Sequence, residues 1–209
     1  DSDMTVMYLL RHGATDNNLA NPPKLQGCNL NPGLSAEGRR QACAASVLLG
    51  NQAITAVYSS PLLRAVETAE TVAHQHQLPV MKVDGIIEAD VGNWEGRDWE
   101  EIQQSEPAAY HQFIADPASN AYSGGECFGE VAARVIPQFD RLLEQHMGDS
   151  IVVVGHNVVN RVYLAHLSGI PLFQSRQVSQ SNCGINVIRR RRGQNQLLTA
   201  NSIFHLERA

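Results

Sequence analysis

Ile151-Val152-Val153-Val154 is an uninterrupted β-branched run, and Gly155-His156-Asn157 follows it with no spacer. A strand that is apolar at every position must be covered on both faces, which is the pattern of a parallel sheet flanked by helices. Val6 to Leu10 is a second apolar strand, and it runs directly into Arg11-His12-Gly13. Both strands therefore end in a histidine beside a glycine. Arg11 offers a planar fork of donors suited to phosphate oxygens, and His12 a ring nitrogen that is nucleophilic near neutral pH.

The intervening chain alternates strand and helix. Ser35 is a predicted N-cap for a helix with Ala42, Ala45, Val47 and Leu48 at its apolar positions, ending near Gly50. Ile54 to Tyr58 is a strand, and Ser60-Pro61 then opens a helix carrying Leu62, Leu63, Val66, Ala69 and Val72. Val80 to Val83 is a third strand, and Trp94 to Asp116 reads as short polar helices broken at Pro107. After Gly124-Gly125 comes an amphipathic helix with Val131, Val135, Phe139, Leu142 and Leu143 on one face; Pro137 within it predicts a kink or the true helix start. A helix over Val158 to Leu167 is stopped by Gly169 and Pro171, and Gly184 to Ile203 closes the chain as a hairpin. The expected fold is α/β: a mostly parallel twisted sheet, helices on both faces, and an edge hairpin near the C-terminus. Ligands of such sheets sit beyond the carboxyl ends of the strands, where Arg11, His12 and His156 lie.

At 209 residues the chain suits one domain over 1–209, with a helical cap and loop region around 94–127. Its net charge of −5 argues against a nucleic-acid partner. Arg189 to Arg192, four arginines in a row before Gly193-Gln194-Asn195-Gln196, read as a solvated hairpin tip or a charge-guarded edge strand. No apolar run approaches the roughly 20 residues of a membrane helix, so no membrane partner is expected. Cys28, Cys43, Cys127 and Cys183 contain no CxxC pair and read as reduced thiols, which together with the lack of a secretory signal favours a cytoplasmic protein. The residues before Met4 read either as a leader or as an added remnant, and the sequence does not decide whether they are native. No motif specifies an oligomeric state.

Four segments carry the chemistry in order: Arg11-His12-Gly13 with Asn18; Ser59-Ser60-Pro61-Leu62-Leu63-Arg64-Ala65-Val66-Glu67-Thr68-Ala69; Ile87-Glu88-Ala89-Asp90-Val91-Gly92-Asn93-Trp94-Glu95-Gly96; and Val154-Gly155-His156-Asn157. Together they closely resemble the histidine phosphatase superfamily, specifically its phosphoglycerate-mutase-like branch, over Val6 to about Asn186. The resemblance implies a phosphohistidine nucleophile at His12 and a general acid at Glu88, with Asp90 as the fallback. It also implies phosphate contacts from Arg11, Asn18, Arg64 and His156, from Gly27 after Gln26, and from the backbone of Asn157. These groups suit a phosphate dianion, whose charge spreads over equatorial oxygens in the transition state. The scheme requires neither metal nor cofactor. This chain departs from the family pattern at Ala14, where many relatives carry Glu. Its Cys28 to Ser35 loop is one residue longer and lacks the common Asp, and Asn157 replaces the more frequent Gly or Ser.

The resulting expectation is a metal-independent phosphomonoesterase acting on a small phosphorylated metabolite. A cofactor-dependent phosphoglycerate mutase is the alternative, and a catalytically silent module binding phosphorylated ligands is the rival from another class. Compact sequence after Glu88 resembles the phosphatase members. The loops expected to cover the pocket, Trp94 to Cys127 and Asn18 to Gly33, contain Trp99, Tyr110, Tyr122 and several carboxylates but few cations, which favours a singly phosphorylated substrate. His74, His76, His111, His146, His166 and His205 have no ligand spacing and read as surface or satisfied core residues.

Overall fold

The computed structural model describes residues 3–207. Asp1 and Ser2, of the segment before Met4, lie outside that range. Strands β1 (Met4–Arg11), β2 (Ile54–Ser59), β3 (Val80–Lys82), β4 (Ser150–Gly155), β5 (Ile185–Arg191) and β6 (Gln194–Ser202) form one sheet in the order β3-β2-β4-β1-β5-β6. The first four in that order run parallel, while β5 and β6 are antiparallel and close the sheet as the expected hairpin. Around it lie α1 (Asp16–Leu19), α2 (Ala36–Leu49), α3 (Leu63–His76), α4 (Trp99–Ser105), α5 (Pro107–Ala115), α6 (Phe128–Gln145) and α7 (Asn157–Ser168).

Strand periodicity sorts the central side chains between two cores. Met7, Leu9, Ile151 and Val153 pack with Val135, Phe139 and Leu142 of α6 and with Val159, Val162 and Tyr163 of α7. Leu10, Val152 and Val154 face the other way, onto Ala42, Ala45 and Leu49 of α2 and Ala65, Ala69 and Val72 of α3. Each large aliphatic group so buried contributes about 1.5–3 kcal/mol. This double coverage is why β4 tolerates no polar residue between Ile151 and Val154.

Local differences from the sequence reading have physical causes. The α2 stripe runs Ala42, Ala45, Leu49; Val47 and Leu48, expected on it, are 71% and 47% exposed, because 100° per residue carries them off that face. Helix α3 starts at Leu63, later than Ser60-Pro61, since Leu62 stays extended and Leu63 N–H is capped by Asn31 Oδ1 at 2.7 Å. Leu63 is consequently exposed. Strand β3 stops at Lys82, and Pro137 sits inside α6 rather than at its start. Arg189 to Arg191 lie on β5 between β1 and β6, so they do not guard an edge strand: Arg190 pairs with Glu144 at 2.9 Å, Arg189 donates to Gln196, and Arg192 with Gly193 forms the exposed hairpin turn. Among the described residues all four cysteines are free, and no helix is long and apolar enough to cross a membrane.

The loop after β1 is fastened to α2. Ser35 caps the helix by accepting from Gly38 N–H, and both its N–H and its hydroxyl donate to Ala14 O, at 2.9 and 2.8 Å. Gln41 Oε1 accepts from Ala14 N–H. Contact is close enough that a Cβ on Gly38 would lie 2.0 Å from Ala14 O. Gly38→Ala should therefore cost about 1–3 kcal/mol in urea denaturation through overpacking. It should also lower turnover, because the displaced backbone adjoins His12.

Candidate active site

His12 and His156 leave adjacent parallel strands at the same level, since Arg11 pairs with Gly155 and His12 N–H donates to Gly155 O at 3.2 Å. Their ring centroids are 5.2 Å apart. His12 Nδ1 lies 2.7 Å from Gly13 O. A carbonyl only accepts, so Nδ1 carries the proton and Nε2 keeps its lone pair. Burial, then the charges of Arg64 and Arg11, push the His12 ring well below the ordinary histidine pKa. His156 is likewise depressed by burial and by Arg64, His12 and Arg11. Its Nε2 is 2.7 Å from Ser60 Oγ, while Nδ1 is buried without a protein partner. Ser60 Oγ also accepts from Leu62 N–H at 3.3 Å, which ties the His156 ring to the start of α3.

Two guanidinium groups are aimed by backbone carbonyls. Arg64, fully buried at the start of α3, donates to Gly27 O and Leu30 O, both at 2.9 Å. Arg11 donates to Gln180 O at 2.6 Å, and burial lowers its pKa to about 10. Both stay charged at neutral pH. Each keeps a buried Nε without a protein partner. The long Cys28 to Ser35 loop is ordered by these duties: Leu30 receives Arg64, Asn31 caps α3, and Glu95 Oε1 accepts from the N–H groups of Gly27 and Leu30 at 2.7 and 3.0 Å.

Glu88 is 4% exposed, and its carboxylate accepts from the N–H groups of Ala89, Val158 and Val159 at 2.8, 3.1 and 3.3 Å. It is thus seated on the first turn of α7. Arg134 of α6 holds the loop beneath it, donating to the carbonyls of Gly85, Ile87 and Glu88 while forking onto Glu126. Asp90, the fallback acid, spends Oδ1 on Gly92 N–H at 2.9 Å.

Arg11, His12, Asn18, Glu88 and Asn157 line one cavity of 420 Å³ at the carboxyl ends of β1 and β4. Arg64 and His156 do not line that cavity; both are fully buried, His156 with its ring centroid 5.2 Å from that of His12. Asn18 Oδ1 is held by Thr15 N–H at 3.0 Å. Gly27 stands apart from the cavity wall: its N–H is taken by Glu95 and its carbonyl by Arg64, and a Cβ there would meet Ala89 O at 2.3 Å. Sequence reasoning overlooked Ser60 and Thr68, the latter accepting from Gly13 N–H at 2.9 Å, as well as Arg134, Gln180, Arg161 and Arg176. Arg161 falls one turn after Asn157 on α7, a helical spacing that could have pointed to it. Arg176 carries no sequence signal. Both line the cavity, which is therefore richer in cations than the covering loops suggested. His146 accepts or donates at Tyr58 OH, 2.7 Å away, and His205 Nε2 donates to Cys183 O, in keeping with satisfied background histidines. Among the described residues no group of three or more His, Cys, Asp or Glu is arranged to hold a metal ion.

A parallel α/β sheet that gathers two buried histidines and two carbonyl-aimed arginines at its strand ends defines a protein built to receive an anionic group. The family is shown directly: the model of the histidine phosphatase superfamily (branch 1) matches residues 7–203, and the chain belongs to that family. It is 31% identical over 203 residues to phosphoserine phosphatase 1 of Hydrogenobacter thermophilus, covering 97% of this chain and 95% of that one. A probable phosphoglycerate mutase, GpmB, of Salmonella choleraesuis is 28% identical over 185 residues, with 88% and 85% covered. Among solved structures, YhfR of Bacillus stearothermophilus superposes with a TM-score of 0.89 at 28% identity, covering 97% and 99%.

The depressed His12 ring gives a spectroscopic expectation. Nitrogen-15 histidine spectra should show His12 as the neutral Nδ1–H tautomer at pH 6.5, with protonation only at markedly lower pH. An imidazolium or an Nε2–H form at that pH would contradict the geometry.

Proposed function

We propose that this chain is a phosphomonoesterase that hydrolyses a small phosphorylated metabolite through a phosphohistidine at His12, without a metal. The observation that carries this reading is the His12 Nδ1–Gly13 O bond, which leaves an unprotonated Nε2 in a buried setting dominated by arginine charge. Membership of the family and similarity to a phosphoserine phosphatase support it.

In the proposed reaction Nε2 of His12 attacks phosphorus in line while the P–O bond to the alcohol breaks. Arg11, Arg64 and His156 stabilise the equatorial oxygens, aided by Asn18 and the backbone of Asn157; Gly27 contributes by orienting Arg64. Glu88 gives its proton to the departing alkoxide. Water then attacks phosphorus, Glu88 takes its proton, the N–P bond breaks, and phosphate leaves with His12 neutral again. Asp90 is assigned no part, because its carboxylate secures the loop. The single-domain reading is part of the proposal: the 94–127 segment, through Trp99, Glu100 and Tyr122, forms the cover of the cavity. A cytoplasmic setting belongs to the proposal as well.

Turnover should persist in excess chelator, and His12→Ala should abolish both turnover and acid-labile phosphate labelling of the protein. Arg64→Ala should lose about 2.7–4 kcal/mol of transition-state stabilisation, the usual scale for an oxyanion donor. Rescue of a chelated enzyme by a divalent ion would overturn the metal-free scheme.

Glu88→Gln separates acid catalysis from binding. It should cripple alkyl phosphate hydrolysis while largely sparing p-nitrophenyl phosphate, whose leaving group needs little protonation. Equal loss on both would remove Glu88 from the acid role. The mutase alternative is decided by supplying 3-phosphoglycerate with a trace of 2,3-bisphosphoglycerate: free phosphate is expected, and rapid 2-phosphoglycerate formation with negligible phosphate would reject the phosphatase.

A further inference from the structure

Gln180 lies in the irregular stretch between the 3-10 turn Leu172–Gln177 and β5, and its main-chain carbonyl receives the Arg11 guanidinium at 2.6 Å. We infer that Gln180 is a positioning residue for Arg11, held in place by a buried amide pair with Asn186, so that two side chains outside the cavity govern how the phosphoryl group is gripped. This inference rests on the phosphomonoesterase reading, in which Arg11 stabilises the equatorial oxygens.

The two amides pair reciprocally. Gln180 Nε2 donates to Asn186 Oδ1 at 2.9 Å, and Asn186 Nδ2 donates back to Gln180 Oε1 at 3.0 Å. Gln180 Nε2 also donates to Ser179 O, and its Oε1 accepts from Asn160 Nδ2 of α7. On the other side, Asn186 Nδ2 donates to Leu9 O, and its Oδ1 accepts from Asn201 N–H. A primary amide has two N–H donors and two acceptor sites, and both amides fill all of theirs. Turning either one over would set N–H against N–H, so the pair has a single orientation. Gln180 is 5% exposed and Asn160 and Asn186 are fully buried, so a lost partner leaves a desolvated polar atom behind. A buried network satisfied to this degree is rigid.

Rigidity here is passed from the sheet to an irregular loop. Asn186 of β5 stands opposite Leu9 of β1, two residues before Arg11. Ser181, directly after Gln180, donates its N–H to Asn201 Oδ1 at 2.8 Å. Asn160 closes the network against β4, near enough that a Cβ on Gly155 would lie 2.4 Å from its Oδ1. The Gln180 carbonyl is thereby registered to the same strands that place His12 and His156.

Arg11 needs such a fixed acceptor. Its Nε is buried without a protein partner, and a long arginine side chain loses up to about 2 kcal/mol of rotamer freedom when held in one conformation. A charge-assisted bond from Nη1 to an immobile carbonyl offsets that loss and keeps the guanidinium where it lines the cavity.

A double-mutant cycle on kcat/KM for p-nitrophenyl phosphate tests the inference. Gln180→Met keeps the side-chain length and removes the amide. In the native background it should lower kcat/KM about tenfold or more, the scale of one hydrogen bond to a charged group, and weaken vanadate inhibition in parallel. In an Arg11→Ala background the same change should cost less than about twofold, because no guanidinium remains to be misplaced. Asn160→Ala removes one outer bond and leaves the reciprocal pair; it should show a smaller loss with the same dependence on Arg11, and it carries the test if Gln180→Met fails to fold. A merely structural defect lowers activity equally with and without Arg11, and that result overturns the inference, as does full activity in either single variant. Failure of the native enzyme to hydrolyse p-nitrophenyl phosphate would instead refute the phosphatase reading. The cycle is then read on calorimetric affinity for inorganic phosphate, where equal losses in the two backgrounds overturn the positioning role.

Discussion

The parallel register of β1 with β4 is the constraint on which the site depends. Leu10 pairs with Val154 and Arg11 with Gly155, so His12 and His156 emerge side by side where the two central strands end. A slip of one residue would exchange the faces of Met7, Leu9 and Leu10 and expose one of the two cores. Hydrophobic burial on both sides thereby also fixes the distance between two polar rings that contribute nothing to the core. The backbone then turns away at Gly13, which approaches Gly38 so closely that neither position has room for a side chain.

Electrostatics follow from that placement. Collecting Arg11, Arg64 and two histidines in a buried site is unfavourable in the unliganded protein, and the hydrogen bonds that hold the arginines come from main-chain carbonyls, with Glu88 and Glu95 acting only through space. Carbonyl partners orient a guanidinium without cancelling its charge, so it remains available to an anionic ligand. The histidines answer the same field by staying neutral. One physical cause, positive potential in a desolvated pocket, thus both favours an anionic ligand and leaves the His12 Nε2 unprotonated.

Glu88 is brought to this pocket by different means. It sits on a loop with little regular structure, held from below by Arg134 and Glu126 and from above by the first amides of α7. Because α7 begins directly after His156, one helix start places both the second histidine and the carboxylate. The sheet positions the histidines, and α6 and α7 position the Glu88 carboxylate.

Much of this was readable from the residues alone. Unbroken β-branched runs demanded a sheet covered on both faces, and glycine beside histidine at two strand ends marked where a ligand would sit. The four motif segments carried the family and the fold. These are local properties: side-chain periodicity, turn chemistry and the donor geometry of individual residues act over a few positions and are written directly in the chain. Other features needed the folded molecule. The tautomer of His12, the Ser60 partner of His156, the Arg134 clamp and the pairing of Gln180 with Asn186 join residues distant in sequence or depend on hydrogen-bond geometry. Gly27, whose motif suggests a ligand contact, has both backbone polar groups engaged by Glu95 and Arg64. The sequence by itself determined which chemical groups were present and which elements carried them; only the tertiary structure decided which groups face one another, because burial and electrostatic coupling depend on distances that long-range packing sets.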